Sequence, residues 1–273
     1  MKTKSFLLWA CYIIILAGTT LFAHDFWLIP QNYRISPGET LTIFANTGMD
    51  FPNSLNPVTP DRVTQFILAG KTGKKDLTNL SVQENSLITT CTFEKPGTYV
   101  LAVALKPKKI KLTAEEFNEY LLHDGLPNVY EFRKKEGILD KDAIEHYAKY
   151  PKTIIQVGNQ LDQTAVKPLN LPVEIVPQVN PYGLKLGDKL PISVFFNGNP
   201  LPNAELAWSF PGQGEKFAGT VVTDKNGKVT IPLTKAGPHV IRLTHMEWVK
   251  KPTHEWESFW TSLTFEVLQK DTN

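Results

Sequence analysis

The chain has 273 residues, 42% of them hydrophobic, and 29 Lys and Arg stand against 27 Asp and Glu for a formal net charge of +2. That near balance excludes a charge-driven partner such as nucleic acid or an anionic membrane surface. Two cysteines, Cys11 and Cys91, exclude a disulfide framework and a thiolate metal site, so the fold must stand on a packed core, most naturally in two domains.

The first 23 residues have the three-part layout of a secretory signal peptide. Lys2 and Lys4 are followed by an apolar run from Phe6 to Leu16, then by small and polar residues up to Ala23. Ser5 to Ala23 is also long enough to be an uncleaved anchor, but Thr19, Thr20 and the lack of a basic stop oppose that. Cleavage after Ala23 removes two lysines and no acid, so the mature chain is formally neutral. It is expected to be periplasmic or secreted, with no stable membrane insertion. Its first residue would be His24.

Residues 24–178 are expected to form an N-terminal β-sandwich. Asp25–Ile29 and Leu41–Ala45 are strand-like around a turn at Ser36-Pro37-Gly38, and Val63–Ala69 runs into the turn-rich Gly70-Lys-Thr-Gly73. Leu87–Phe93 and Thr98–Ala104 flank a hairpin connection, and the second alternates as a half-buried strand does. A short helical insertion is expected over about residues 113–150. It opens with a capping box at Thr113-Ala-Glu-Glu116 and ends its first helix at Gly125. A second helix is expected over Val129–Lys135 and a third over Asp142–Tyr150, stopped by Pro151. Thr153–Val157 and Pro172–Val176 return to strand, and the boundary falls at Pro177–Pro181.

Residues 179–273 read as a second sandwich, immunoglobulin-like or transthyretin-like. Leu190–Phe196, Ala204–Phe210, Gly219–Thr223, Lys228–Leu233, His239–His245 and Ser262–Val267 are its strands, with Asp224-Lys-Asn-Gly227 as a hairpin turn. The fold class is therefore mostly β: two sandwiches with a helical insertion in or after the first.

Several segments together resemble one family. They are His24-Asp-Phe-Trp-Leu-Ile-Pro30, Phe117-Asn-Glu-Tyr-Leu121, Tyr147-Ala-Lys149, Leu171-Pro-Val-Glu-Ile-Val-Pro177, Asn180-Pro-Tyr182, Thr244-His-Met246 and Trp256-Glu-Ser-Phe-Trp260. They look like the domain-of-unknown-function 4198 family, bacterial and extracytoplasmic, once described as the periplasmic component of a cobalt/nickel transport system. The resemblance spans essentially the whole mature chain. It implies a metal ion as ligand, with nickel or cobalt as the metal and a membrane transporter or outer-membrane receptor as partner. Where the family has a bulky aromatic this chain has His239, and where it is variable it has His123 and His146, which makes these three poor candidates for a shared site.

An N-terminal histidine carries its own metal chemistry. The α-amine (reference pKa about 7.7) and the imidazole (about 6.5) both deprotonate near neutrality once a metal competes. Together they are a bidentate nitrogen set that favours Cu(II), with Ni(II) and Zn(II) following. A second histidine would complete a three-nitrogen brace. His245 is the best candidate, because residues 239, 241, 243 and 245 of a strand share one face and His245 ends that inward row near a rim. The competing reading is a core histidine bonded to backbone, which is also the reading for His239. Asp25 and Glu257 are candidate ligands, or carboxylates that hold a ligand imidazole, against the plainer roles of turn cap and solvated strand residue. His254 is expected to be a solvated loop histidine and Met246 core filler.

No phosphate loop, nucleophile elbow or His-Glu-x-x-His occurs, so a catalytic role is not the leading expectation. The leading reading is an extracytoplasmic transition-metal-binding protein for uptake, delivery or sensing, with His24, Asp25, His245 and Glu257 as the metal site. Two alternatives remain open: a histidine-brace copper oxygenase, and a metal-free carbohydrate- or protein-binding sandwich in which tryptophans pack an interface.

Overall fold

The computed structural model describes residues 24–270; the expected signal segment lies outside them. The chain is mostly β, as expected, and its open sheets stack in three layers. Among the described residues, eleven strands form a central sheet and four strands each form a front and a back sheet. The front sheet contains Asp25–Pro30, Thr40–Gly48, Ser86–Thr92 and Leu80–Gln83 in that order. The back sheet is built on Lys189–Phe196, flanked by Val173–Pro177 and Lys228–Pro232.

Alternation along the central strands explains the layering. Successive side chains point to opposite faces, so Phe66, Leu68, Leu101 and Val103 pack forward against Leu28, Ile43 and Leu87. Their neighbours Ile67, Ala69, Val100 and Ala102 pack backward into a core with Val173, Ile192 and Val194. Buried on both faces, these strands read as almost continuous apolar runs.

A long hairpin dominates the central sheet. Gly237–Lys251 and His254–Val267 pair antiparallel through nearly their whole lengths. Both strands outrun the expected His239–His245 and Ser262–Val267, because the segment expected as a charged loop holds only the tight turn. His254 is consequently buried rather than solvated, which corrects that expectation.

The sheet does not stop at the expected boundary between residues 178 and 179. Lys152 and Thr153 pair with Leu263 and Thr264 in parallel, and the rear core mixes Ile154 and Ile175 with Ile241, Leu263 and Phe265. Side chains tie the same junction. The Tyr182 hydroxyl donates to Ile154 O at 2.7 Å, and Asn180 Nδ2 donates to Thr98 Oγ1 at 2.7 Å.

The helical insertion is shorter than expected. Helix α1 (Ala114–His123) opens on the Thr113–Glu116 capping box, and helix α2 (Pro127–Lys135) follows it closely. Phe117, Tyr120 and Leu121 of α1 pack on Trp256 and Trp260 at the front of the hairpin. The third expected helix is instead the strand Ala143–Lys149. It lies parallel to His254–Val267 and antiparallel to Lys108–Leu112. That correction has a physical reason: both partners are distant in sequence or lie beyond the helices, and ladder pairing overrides a helix propensity worth only tenths of a kcal/mol per residue (~0.5).

Candidate functional site

The first described residues cross the front of the hairpin. Ser262 Oγ donates to Phe26 O at 2.7 Å and Thr264 Oγ1 donates to Leu28 O, which pins the strand Asp25–Pro30 to the central sheet. Ser262 and Thr264 belong to the front-facing row of their strand, whose back-facing neighbours Leu263 and Phe265 are core. Polar residues on that row have backbone to bind.

A buried charge cluster surrounds this crossing. Arg242 faces forward and clamps Asp25, with Nη1 3.2 Å from Oδ1 and Nε 3.2 Å from Oδ2. Its Nη2 donates to Asp124 Oδ1 at 2.9 Å, and Phe217 covers the guanidinium at 4.4 Å. Asp124 caps the C-terminus of α1, and His123 Nδ1 lies 3.3 Å from the same Oδ1. The bond to Asp124 raises the His123 pKa. Burial pushes the Asp25 carboxyl up to about 6 against the pull of Arg242.

Glu145 and Lys149 complete the cluster from the front-facing row of Ala143–Lys149. Glu145 Oε1 accepts from Ser258 Oγ and from the Tyr120 hydroxyl (3.2 Å), and burial raises its pKa to about 7. The Lys149 ammonium donates to the backbone carbonyl of His24 and sits 5.5 and 5.3 Å from the rings of Tyr147 and Trp260. Burial lowers its pKa to about 8. His24 itself is half-buried, and desolvation together with Lys149 lowers its imidazole pKa. It stands at the rim of a cleft of about 430 Å³, with Arg62, Lys108, Tyr147 and Lys149 among the lining residues.

The four expected metal ligands do not converge. His24 and Asp25 lie at the front, where Asp25 meets Arg242. His245 is on the back-facing row of the same strand as Arg242, beside the rings of Phe196 (4.3 Å) and Phe259 (6.4 Å), with Nε2 3.8 Å from Glu247 Oε1. The central sheet therefore separates it from His24. Glu257 is at the turn end of the hairpin, bonded to Lys251 Nζ at 2.6 Å and His254 Nε2 at 3.0 Å. The His254 ring stacks on His146 at 3.8 Å. Among the described residues no three His, Cys, Asp or Glu side chains are grouped to hold a metal ion. Of the four, His24 lines the cleft, while Asp25, His245 and Glu257 lie beside other partners.

Reading by histidine missed Arg242, Asp124, Glu145 and Lys149. A signal for Arg242 was available: it is the charged residue inside the apolar run Val240-Ile-Arg-Leu243. A charge at such a position is rare unless paired. Glu145 and Lys149 were hidden by reading their strand as a helix.

The chain is thus a stacked-sheet β protein with a buried charge cluster under the start of its first strand. A family model described as a domain of unknown function (DUF4198) matches residues 21–247, and the chain belongs to that family. No curated protein matches significantly. Among solved structures, the D0-D1 domain of Intimin is similar at 10% identity and TM-score 0.21, over 88% of this chain and 97% of that one. Salmonella alpha-2-macroglobulin reacted with methylamine gives 10% identity and TM-score 0.25, over 92% of this chain and 15% of that one. The mouse nectin-like molecule 4 ectodomain gives 8% and 0.22, over 92% and 66%. Likeness this distant says nothing of ligand or activity. Among the described residues no helix is long and apolar enough to cross a membrane.

Proposed function

We propose that this is an exported transition-metal-binding protein, periplasmic or secreted, whose metal is held at a mature N-terminus formed by cleavage before His24. It serves uptake or delivery, handing the ion to a membrane transporter or outer-membrane receptor. The donor chemistry of one amine and one imidazole favours copper over nickel, cobalt and zinc.

One observation carries the reading: the fold commits buried charge to holding its first residues in place. Arg242 clamps Asp25, and the Lys149 ammonium holds the His24 carbonyl. Buried ion pairs are poor stabilisers for their cost, so such an anchor makes sense where the position of His24 matters. Its lowered imidazole pKa favours the neutral form that a metal requires. When bound, the ion supplies a Lewis-acidic centre, while Lys149 and Asp25 position the residue that holds it. His245, across the sheet, is no longer part of the site; His123, held by Asp124 beside the Asp25 clamp, is the histidine at this end of the molecule.

Mass spectrometry of the exported protein and copper titration test the reading. Protein beginning at His24 should bind Cu(II) at least about tenfold more tightly than protein with one glycine added before it, because the added peptide removes the amine from the chelate. His245→Ala should bind as the parent does. Equal affinity with and without the extra glycine, or a mature terminus elsewhere, overturns it.

A further inference from the structure

The cleft beside His24 has a character of its own. Its volume, about 430 Å³, is in the range of small-molecule sites. Arg62, Lys108 and Lys149 line it, and among the described residues no aspartate or glutamate does. Pro57, Val58, Leu105, Ile110 and the ring of Tyr147 line it as well, so cationic and apolar groups stand side by side, with the Lys149 ammonium 5.5 Å from the Tyr147 ring.

Lys149 is the decisive residue. It is 6% exposed, yet it makes none of the ion pairs among the described residues. Its ammonium contacts one backbone carbonyl and two ring faces. Lys152, three residues along, is an internal comparison. It is 2% exposed and bonded to Glu174 at 2.9 Å, and Glu174 also accepts from the backbone of Leu169, Asn170 and Leu171. This chain therefore pairs a buried lysine where the role is structural. An ammonium has three donors; this one has no carboxylate in direct contact among the described residues, with Asp25, Asp124 and Glu145 acting on it from further off, and at the edge of a cleft it is suited to an incoming oxyanion. Arg62 is fixed beside it, with Nη2 donating to Lys106 O at 2.8 Å, and exposed Lys108 adds positive potential at the mouth.

We propose that this cleft binds a small organic anion, with a carboxylate or phosphate head against Lys149 and Arg62 and an apolar body against Val58, Leu105, Ile110 and Tyr147. The site uses side chains other than the His24 nitrogens, so it stands or falls separately from the metal reading.

Calorimetry on metal-stripped protein, with no chelator left in solution, tests this with benzoate, phenyl phosphate and the neutral benzamide as probes. At least one anion should bind, and benzamide should be about tenfold weaker or worse, as expected for loss of a charge-assisted bond. The better of the two anions identifies the head group. Arg62→Gln should weaken that anion by about tenfold and Lys149→Met should abolish binding. If Lys149→Met does not fold, Arg62→Gln and the benzamide comparison decide alone. Absence of binding by both anions, benzamide binding as well as benzoate, or unchanged affinity in Arg62→Gln overturns the proposal. Inorganic phosphate binding as tightly as phenyl phosphate overturns the role of the apolar lining residues.

Discussion

The two faces of the Gly237–Lys251/His254–Val267 hairpin are made from alternate residues of the same strands and have opposite characters. The back face carries Ile241, Leu243, Leu263 and Phe265 into a continuous apolar core. Over the same stretch the front face carries Arg242, Thr244, Ser258, Ser262 and Thr264, all buried. The back face stabilises by area removed from water, a force with no preferred direction. The front face uses directional bonds that fix one segment: the guanidinium on Asp25, and hydroxyls on the carbonyls of Phe26 and Leu28. The difference teaches that the front face is built for placement of the strand Asp25–Pro30, at some cost in stability.

The largest effect should come from Arg242→Ala, which leaves Asp25 and Asp124 buried without their counter-ion. A loss of about 3–5 kcal/mol in urea unfolding is expected. Leu243→Ala, one residue away on the back face, should cost a comparable ~2–5 kcal/mol through the cavity it leaves. Hydrogen exchange separates the two. Amides of Asp25–Pro30 should lose protection selectively in Arg242→Ala, whereas Leu243→Ala should lower protection throughout. A cost below ~1 kcal/mol for Arg242→Ala would collapse the contrast between the faces.

The next effect is in pH. The folded-state pKa of Glu145 is raised to about 7 from 4.5, so the folded protein binds more protons than the unfolded chain between those values. Its contribution therefore declines as pH rises through this window, by about 3 kcal/mol in total. Glu145→Gln should remove that share of the slope and leave the part belonging to Asp25. Thermal melts from pH 4 to 8 that keep the full slope would show that Glu145 does not bear the cost.

The smallest effect sharpens the same comparison. Ser262→Ala deletes one hydroxyl bond to the Phe26 carbonyl and should cost about 1 kcal/mol. Exchange at Phe26–Leu28 should rise more than at Lys152–Val157, which pairs with His254–Val267 within the central sheet. Uniform loosening would argue that the front face holds the core rather than the terminus.

Local chemistry was legible in the sequence wherever a few adjacent residues decide the outcome. The capping box at Thr113 forms as read, with Glu116 N donating to Thr113 Oγ1 at 3.3 Å and Thr113 N to Glu116 Oε2 at 2.8 Å. The Asp224–Gly227 turn also forms, its aspartate accepting from Asn226 N and Lys228 N while Gly227 supplies a φ of +68°. Most strands were visible in their alternation, and so was the family. The site was less legible. His24 and Asp25 were singled out, but the partners chosen for them came from histidine counting along a single strand.

What the sequence determined by itself was the mostly-β class, the helix that starts at Thr113, and a first strand opening at Asp25. Only the tertiary structure decided that Ala143–Lys149 is a strand and that Arg242, rather than His245, meets Asp25. The physical reason is the same in both cases. A ladder between Tyr147 and Ser258, or a clamp between Asp25 and Arg242, joins residues more than a hundred positions apart. Nothing in either local segment encodes its distant partner, and a strand presents opposite faces at adjacent residues. Whether residue 242 or 245 faces the strand Asp25–Pro30 was therefore fixed by how the layers stack.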